Sequence, residues 1–208
     1  IDYELNRKKS DSLIEEADWI FCLDFNSLKR INSLGDKVRE SDAKKVLIDH
    51  HLDPEDFADH FFIDTDYSAT GEIIYDFIKE TEIVKINKEI AVPIYAAIMT
   101  DTGSFRFERT SPKIHYIAAE LLQAGVKPNF VFDSIYDQSL FTKIKLLGKA
   151  LDSMQLYGKS KEIGYMVITR DVLESTGGLE SDTDGFVNYS LAVEKVKIGM
   201  LFIELSEG

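Results

Sequence analysis

A chain of 208 residues, 44% of them hydrophobic, is long enough to bury one large core or two modest ones, which excludes disorder as the default state. Its formal charge of −13, from 37 acidic against 24 basic residues, opposes the attraction by which proteins track long nucleic acids and excludes a genome-binding role. No stretch approaches the roughly 18 consecutive apolar residues that span a bilayer, so the reading is a soluble, cytoplasmic protein with no membrane partner.

The first predicted strand, Trp19 to Leu23, ends at Asp24 and contains Cys22, the one cysteine. That thiol reads as buried, free and suited to a reducing compartment. A second apolar run, Val46 to Ile48, ends at Asp49, and both runs have the form of parallel strands covered on two faces. A helix is predicted over 71–80, with Ser68 or Thr70 as N-cap. The next covers about 88–99, with Pro93 predicting a kink or a later start. Ser111 and Pro112 open the clearest helix, with Ile114, Ile117, Ala118, Leu121 and Leu122 on one face and a stop at Gly125. A short helix follows from Pro128, then a longer one from Ser139, with Leu140, Ile144, Leu147 and Leu151 expected to face a core. Beyond Met154 the texture changes: strands are predicted over 163–169 and 196–205, flanking a Gly177-Gly178 turn and a helix-like stretch near 184–193. The expected organisation is α/β: a mainly parallel-sheet domain over 1–138, a helical connector over 139–154, and a smaller α/β domain over 155–208.

Asp49-His50-His51 directly follows a buried-strand run, which puts it at the carboxyl end of a parallel strand, where ligand sites of open α/β sheets gather. A polar loop with a capping Asp is the plain alternative. Asp24 ends the neighbouring strand, and Asp101 lies just past a predicted helix in Thr100-Asp101-Thr102-Gly103-Ser104-Phe105. Two unit charges about 4 Å apart repel by about 4 kcal/mol at an effective dielectric of 20, so three converging carboxylates need a cation or protons. Asp oxygens with His nitrogens suit Mn²⁺, with Zn²⁺, Co²⁺ or Fe²⁺ as competitors and Mg²⁺ less favoured.

Phe21-Cys22-Leu23-Asp24, Val46-Leu47-Ile48-Asp49-His50-His51 and Thr100 to Phe105, in this order and spacing, resemble the DHH phosphoesterase superfamily. Within it the resemblance is to the bacterial oligoribonuclease and 3′-phosphoadenosine 5′-phosphate phosphatase group. Ser68-Ala69-Thr70 and Asp184-Gly185-Phe186-Val187-Asn188-Tyr189 are also similar to that group. The resemblance implies a DHH domain followed by part of a DHHA1-like domain, and a hydrolase that activates water with two divalent ions, Mn²⁺ foremost. Its substrates would be short RNA or DNA oligonucleotides or small nucleotide phosphates. By position it implies that Asp24, His50 and Asp101 are metal ligands, that His51 contacts phosphate, and that Asp49 orients the histidines. Arg106 and Arg109 could meet a phosphate bidentately, although surface arginines need no such role. Phe105 could stack on a base or simply fill the core. His60 and His115 are read as non-functional.

Two departures stand beside the resemblance. Nothing matches the family's amino-terminal His-x-x-Pro-Asp-Gly-Asp-Ala-like motif, and the chain stops short of the Gly-Gly-His-like loop. With Ile1 in place of an initiator Met, the expectation is a portion of a longer protein. The alternatives are an inorganic pyrophosphatase-like enzyme and a non-catalytic nucleotide-binding module; a homodimer is an open option.

Overall fold

The computed structural model describes residue 3 and residues 5–204 of the chain, in two compact units, Ile1–Asp133 and Ser134–Gly208. The first unit opens with α1 (Arg7–Glu15), β1 (Trp19–Leu23), a 3₁₀ turn (Leu28–Ile31), α2 (Ser33–Glu40), β2 (Lys44–Asp49) and β3 (His60–Ile63). The three strands make one parallel sheet in the order β1-β2-β3. Cys22 and Leu47, paired across β1 and β2, are buried with Leu28 and Val38 on one face. Burial pushes the Cys22 thiol up to about 11, as expected of a packing residue and not a nucleophile.

Four helices follow: α3 (Thr70–Thr81), α4 (Lys88–Asp101), α5 (Pro112–Gln123) and α6 (Pro128–Tyr136), the last running across the division between the units. They enclose a second core that includes Tyr75, Ile94, Ile98, Ile114, Ile117 and Leu121. α5 starts and stops where its sequence predicts: Ser111 Oγ accepts from the Ile114 N–H, and Gly125 takes the left-handed conformation at φ 104. α4 does not start late. Asn87 caps it through Oδ1, which accepts from the Ile90 N–H at 3.1 Å, and the helix runs through Pro93. The carbonyl that Pro93 leaves without an intrahelical donor belongs to Glu89, an exposed residue.

α3 and α4 approach closely at Gly71. A Cβ there would lie 2.8 Å from Ala97 Cβ and 3.0 Å from the Ile94 carbonyl oxygen. Gly71→Ala is therefore expected to destabilise the unit by roughly 1–3 kcal/mol, read from denaturant unfolding, because the nearer obstacles include backbone that cannot rotate away. Wild-type stability in this variant would show that the two helices can separate freely.

The second unit holds α7 (Phe141–Asp152), β4 (Gln155–Tyr157), β5 (Ile163–Ile168), α8 (Arg170–Thr176), a 3₁₀ turn (Glu180–Thr183), α9 (Val187–Leu191) and β6 (Ile198–Ile203). β5 is central, with β4 antiparallel and β6 parallel to it. The strand predicted through 205 ends at Ile203; Leu205 lies outside the described residues. α7, the helix that the sequence reads as a connector, contributes Leu146 and Ala150 to a core with Met166, Ile168 and Phe186. Its expected stripe is corrected. Leu140, Ile144 and Leu151 are exposed and Leu147 is partly buried, because α7 carries apolar residues around much of its girth and only the sheet decides which face is covered. Among the described residues, no helix is long and apolar enough to cross a membrane.

Candidate metal centre

Leu23 pairs with Ile48, so the carboxyl ends of β1 and β2 lie side by side and the loops leaving them meet. Asp24 follows Leu23 in a left-handed conformation, φ 67, which Asp tolerates better than most residues because its short side chain bonds locally. Its N–H still donates to the Ile48 carbonyl at 3.1 Å, which fixes the point where the chain leaves the sheet. Asp49, the last residue of β2, is 0% exposed. Its Oδ1 accepts from His51 Nδ1 at 2.7 Å, leaving His51 Nε2 as the ring atom available to a ligand.

His50 sits between two carboxylates. Its Nε2 is 3.5 Å from Asp24 Oδ1 and 3.5 Å from Asp101 Oδ2, and its Nδ1 donates to the Tyr67 carbonyl at 3.3 Å. The carboxylates of Asp101 and then Asp24 push His50 up to about 10, outweighing burial. The same contact with His50, with help from the Thr70 hydroxyl, holds Asp24 below the usual carboxylate range against the effect of burial.

The donor set fits a metal ion. One ligand atom from each of Asp24, Asp49, His50 and His51 lies within 4.8 Å of the others, and Asp101 joins through its contact with His50. Asp49 Oδ2 and Asp101 Oδ2 are buried without a hydrogen-bond partner; the 3.5 Å approach of Asp101 to His50 is an ion-pair contact without hydrogen-bond geometry. Orphaned carboxylate oxygens in a sheltered place call for a cation, and a ligating imidazole would give up its proton to one.

The five residues expected to form the centre are thus brought together. The two arginines are not part of that cluster: neither guanidinium forms an ion pair with it among the described residues. Arg106 lies over the Phe107 ring at 5.3 Å, and Arg109 accepts from Ser68 Oγ through its backbone carbonyl at 2.6 Å. Phe105 is clamped between Tyr95 and His115, each ring centroid 5.7 Å away, which favours its packing reading.

Ser68 and Thr70 do not cap α3 as expected. The N-cap is Ala69, with no side-chain cap, and Thr70 Oγ1 instead donates to Asp24 Oδ1 at 2.8 Å. Thr102, which the motif includes without a role, has a structural one. It is 0% exposed; its hydroxyl donates to the Ile98 carbonyl at 2.7 Å and accepts from the Phe105 N–H at 3.1 Å. That pair of bonds ties the left-handed run of Gly103, Ser104 and Phe105 to the end of α4, where Asp101 is aimed. Both bonds are local, to residues four before and three after, the pattern by which a Thr hydroxyl ties a turn to a helix end.

Residues 2–98 match the DHH family, N-terminal domain. The chain is 28% identical over 196 residues, 93% of its length, to the Bacillus subtilis (strain 168) bifunctional oligoribonuclease and PAP phosphatase NrnA, of which it covers 61%. It is 31% identical over 163 residues, 78% of its length, to the Thermus thermophilus protein of that name, covering 48% of it. A solved structure of an exopolyphosphatase-related protein from Bacteroides fragilis aligns with a TM-score of 0.87 at 33% identity, over 99% of this chain and 60% of that one. The chain thus spans less than two thirds of the length of each of these relatives. A Methanococcus jannaschii structure, 18% identical with a TM-score of 0.50 over 92% of this chain, shares the fold alone.

Proposed function

We propose that the chain is the metal-binding part of a DHH-type phosphoesterase that hydrolyses short oligonucleotides, dinucleotides or phosphoadenosine phosphate, a reading supported by the match of residues 2–98 to the DHH family, N-terminal domain. One observation carries the proposal: Asp24 and Asp101, 77 positions apart, each approach the same His50 nitrogen at 3.5 Å, beside the contact of buried Asp49 with half-buried His51. The names of the Bacillus and Thermus relatives supply the substrate class.

In this reading Asp24, His50 and Asp101 hold the ion, and Mn²⁺ suits their mixed oxygen and imidazole donors better than Mg²⁺, with Co²⁺ and Zn²⁺ as competitors. A divalent ion there would lower the pKa of a bound water and offset charge on phosphoryl oxygens. Asp49 fixes the His51 ring by accepting its Nδ1 proton, so that Nε2 faces a phosphate. Arg106 and Arg109, exposed after the Asp101 loop, would add positive charge for the same anion.

The test is a substrate panel on the protein produced from its intact coding sequence, with Mn²⁺ or with chelator. Metal-dependent turnover of a dinucleotide or of phosphoadenosine phosphate, with little on pyrophosphate, is expected. Preference for pyrophosphate would replace the substrate class. Nucleotide binding without any turnover would make the protein a non-catalytic module.

A further inference from the structure

One buried charge is not used by the centre. Glu72, in the first turn of α3, is 5% exposed. Its Oε1 lies 3.1 Å from Lys113 Nζ, in the first turn of α5, and its Oε2 accepts from the Ser68 N–H at 3.1 Å. Lys113 also reaches Asp76 Oδ2, at 2.5 Å, and that oxygen accepts from the Tyr67 hydroxyl at 2.8 Å. The ammonium stands 4.6 Å from the centre of the Tyr67 ring. Glu72 and Asp76 are four residues apart on one helix face, where like charges repel, and Lys113 is the cation between them. Burial opposes its charge, yet the bonds to Asp76 and Glu72 prevail and push it up to about 12.

The network grips residues 67–70, and both ends of that segment touch the centre. The Tyr67 carbonyl accepts from His50 Nδ1, and the Thr70 hydroxyl donates to Asp24. A ligating imidazole is aimed by the bond its other nitrogen makes, and a carboxylate by the donors it accepts from. Building on the metal chemistry proposed above, we propose that Lys113, acting through Glu72 and Asp76, is a positioning residue that clamps the 67–70 strap so that His50 presents Nε2, and Asp24 its carboxylate, to a divalent cation. Loss of the ammonium leaves Glu72 a buried, unpaired charge, which drives the strap out of place; loss of the Tyr67 hydroxyl slackens it without touching any charge.

Three variants of the full chain test this: Lys113→Met, Tyr67→Phe and the charge-retaining Lys113→Arg. Exchange of the His50 Nδ1 proton is followed by NMR on ¹⁵N-histidine-labelled, chelator-treated protein, and Mn²⁺ affinity by titration. In Lys113→Met and Tyr67→Phe the proton should exchange several-fold faster and Mn²⁺ should bind roughly tenfold more weakly, the scale seen when outer partners of metal ligands are removed. Lys113→Arg should restore much of both. Tyr67→Phe keeps the question open if Lys113→Met fails to fold. A folded Tyr67→Phe with wild-type exchange and wild-type affinity overturns the clamp, as would a lower melting temperature with neither readout changed. If no form binds Mn²⁺ while proton exchange still accelerates, the metal reading fails and the clamp stands.

Discussion

Replacing His50 with Ala, or Asp101 with Asn, is expected to weaken Mn²⁺ binding by more than about 100-fold, since loss of even an outer partner of a ligand costs roughly 10- to 100-fold. Hydrolysis by the intact protein should fall by at least about a thousandfold. A metal ion contributes several kcal/mol of charge stabilisation, and each 1.36 kcal/mol is a factor of about ten in rate. The fold should survive. The Asp24 side chain is 45% exposed, so water and salt screen its part of the repulsion that His50 relieves. Calorimetric titration, a single-turnover assay and a melting curve separate the three effects. Wild-type turnover in either variant would remove the assigned ligands from the chemistry.

The second large effect is on pH. His50 is pushed up to about 10 by Asp101 and Asp24, and binding a cation must displace its proton. Apparent Mn²⁺ affinity should therefore rise about tenfold per pH unit through the neutral range, approaching a plateau only near that value. Proton release, read as a dependence of binding enthalpy on buffer, should accompany it. The metal-free fold carries the matching signature. A raised folded-state pKa contributes stability that is fully present below His50's unfolded value of 6.5 and is lost as pH rises toward about 10. His50→Gln should flatten that slope. An affinity independent of pH would mean that no proton leaves the ring when the cation binds.

Part of the candidate centre is legible in the residues alone. Asp24 and Asp49 each end an apolar run, and a carboxylate at the end of a parallel strand points to the edge where loops meet. The caps of α5 were equally open to view, because Ser111, Pro112 and Gly125 act within one turn of their own backbone. Other features were not. α4 begins at Lys88 despite Pro93, because the orphaned carbonyl is exposed, and exposure is not a local property. α1, α2 and β3 escaped notice: α1 buries none of its residues, so no clear apolar stripe marks it, and β3 is a short edge strand with Phe61 and Phe62 exposed.

By itself the sequence determined which donor types exist, that Asp24 and Asp49 terminate neighbouring strands, and that no thiolate enters the set. Only the tertiary structure decided that Asp101 meets His50, that Thr70 serves Asp24 and not its own helix, that Lys113 reaches across from α5 to Glu72 and Asp76, and that α7 turns Leu146 and Ala150 inward. The reason is one of range. Periodicity, caps and turn residues act over a few bonds and are written in neighbouring letters, whereas the partner of a hydroxyl or a carboxylate is set by which helix packs against which strand, and that depends on the burial of apolar surface summed over the whole unit.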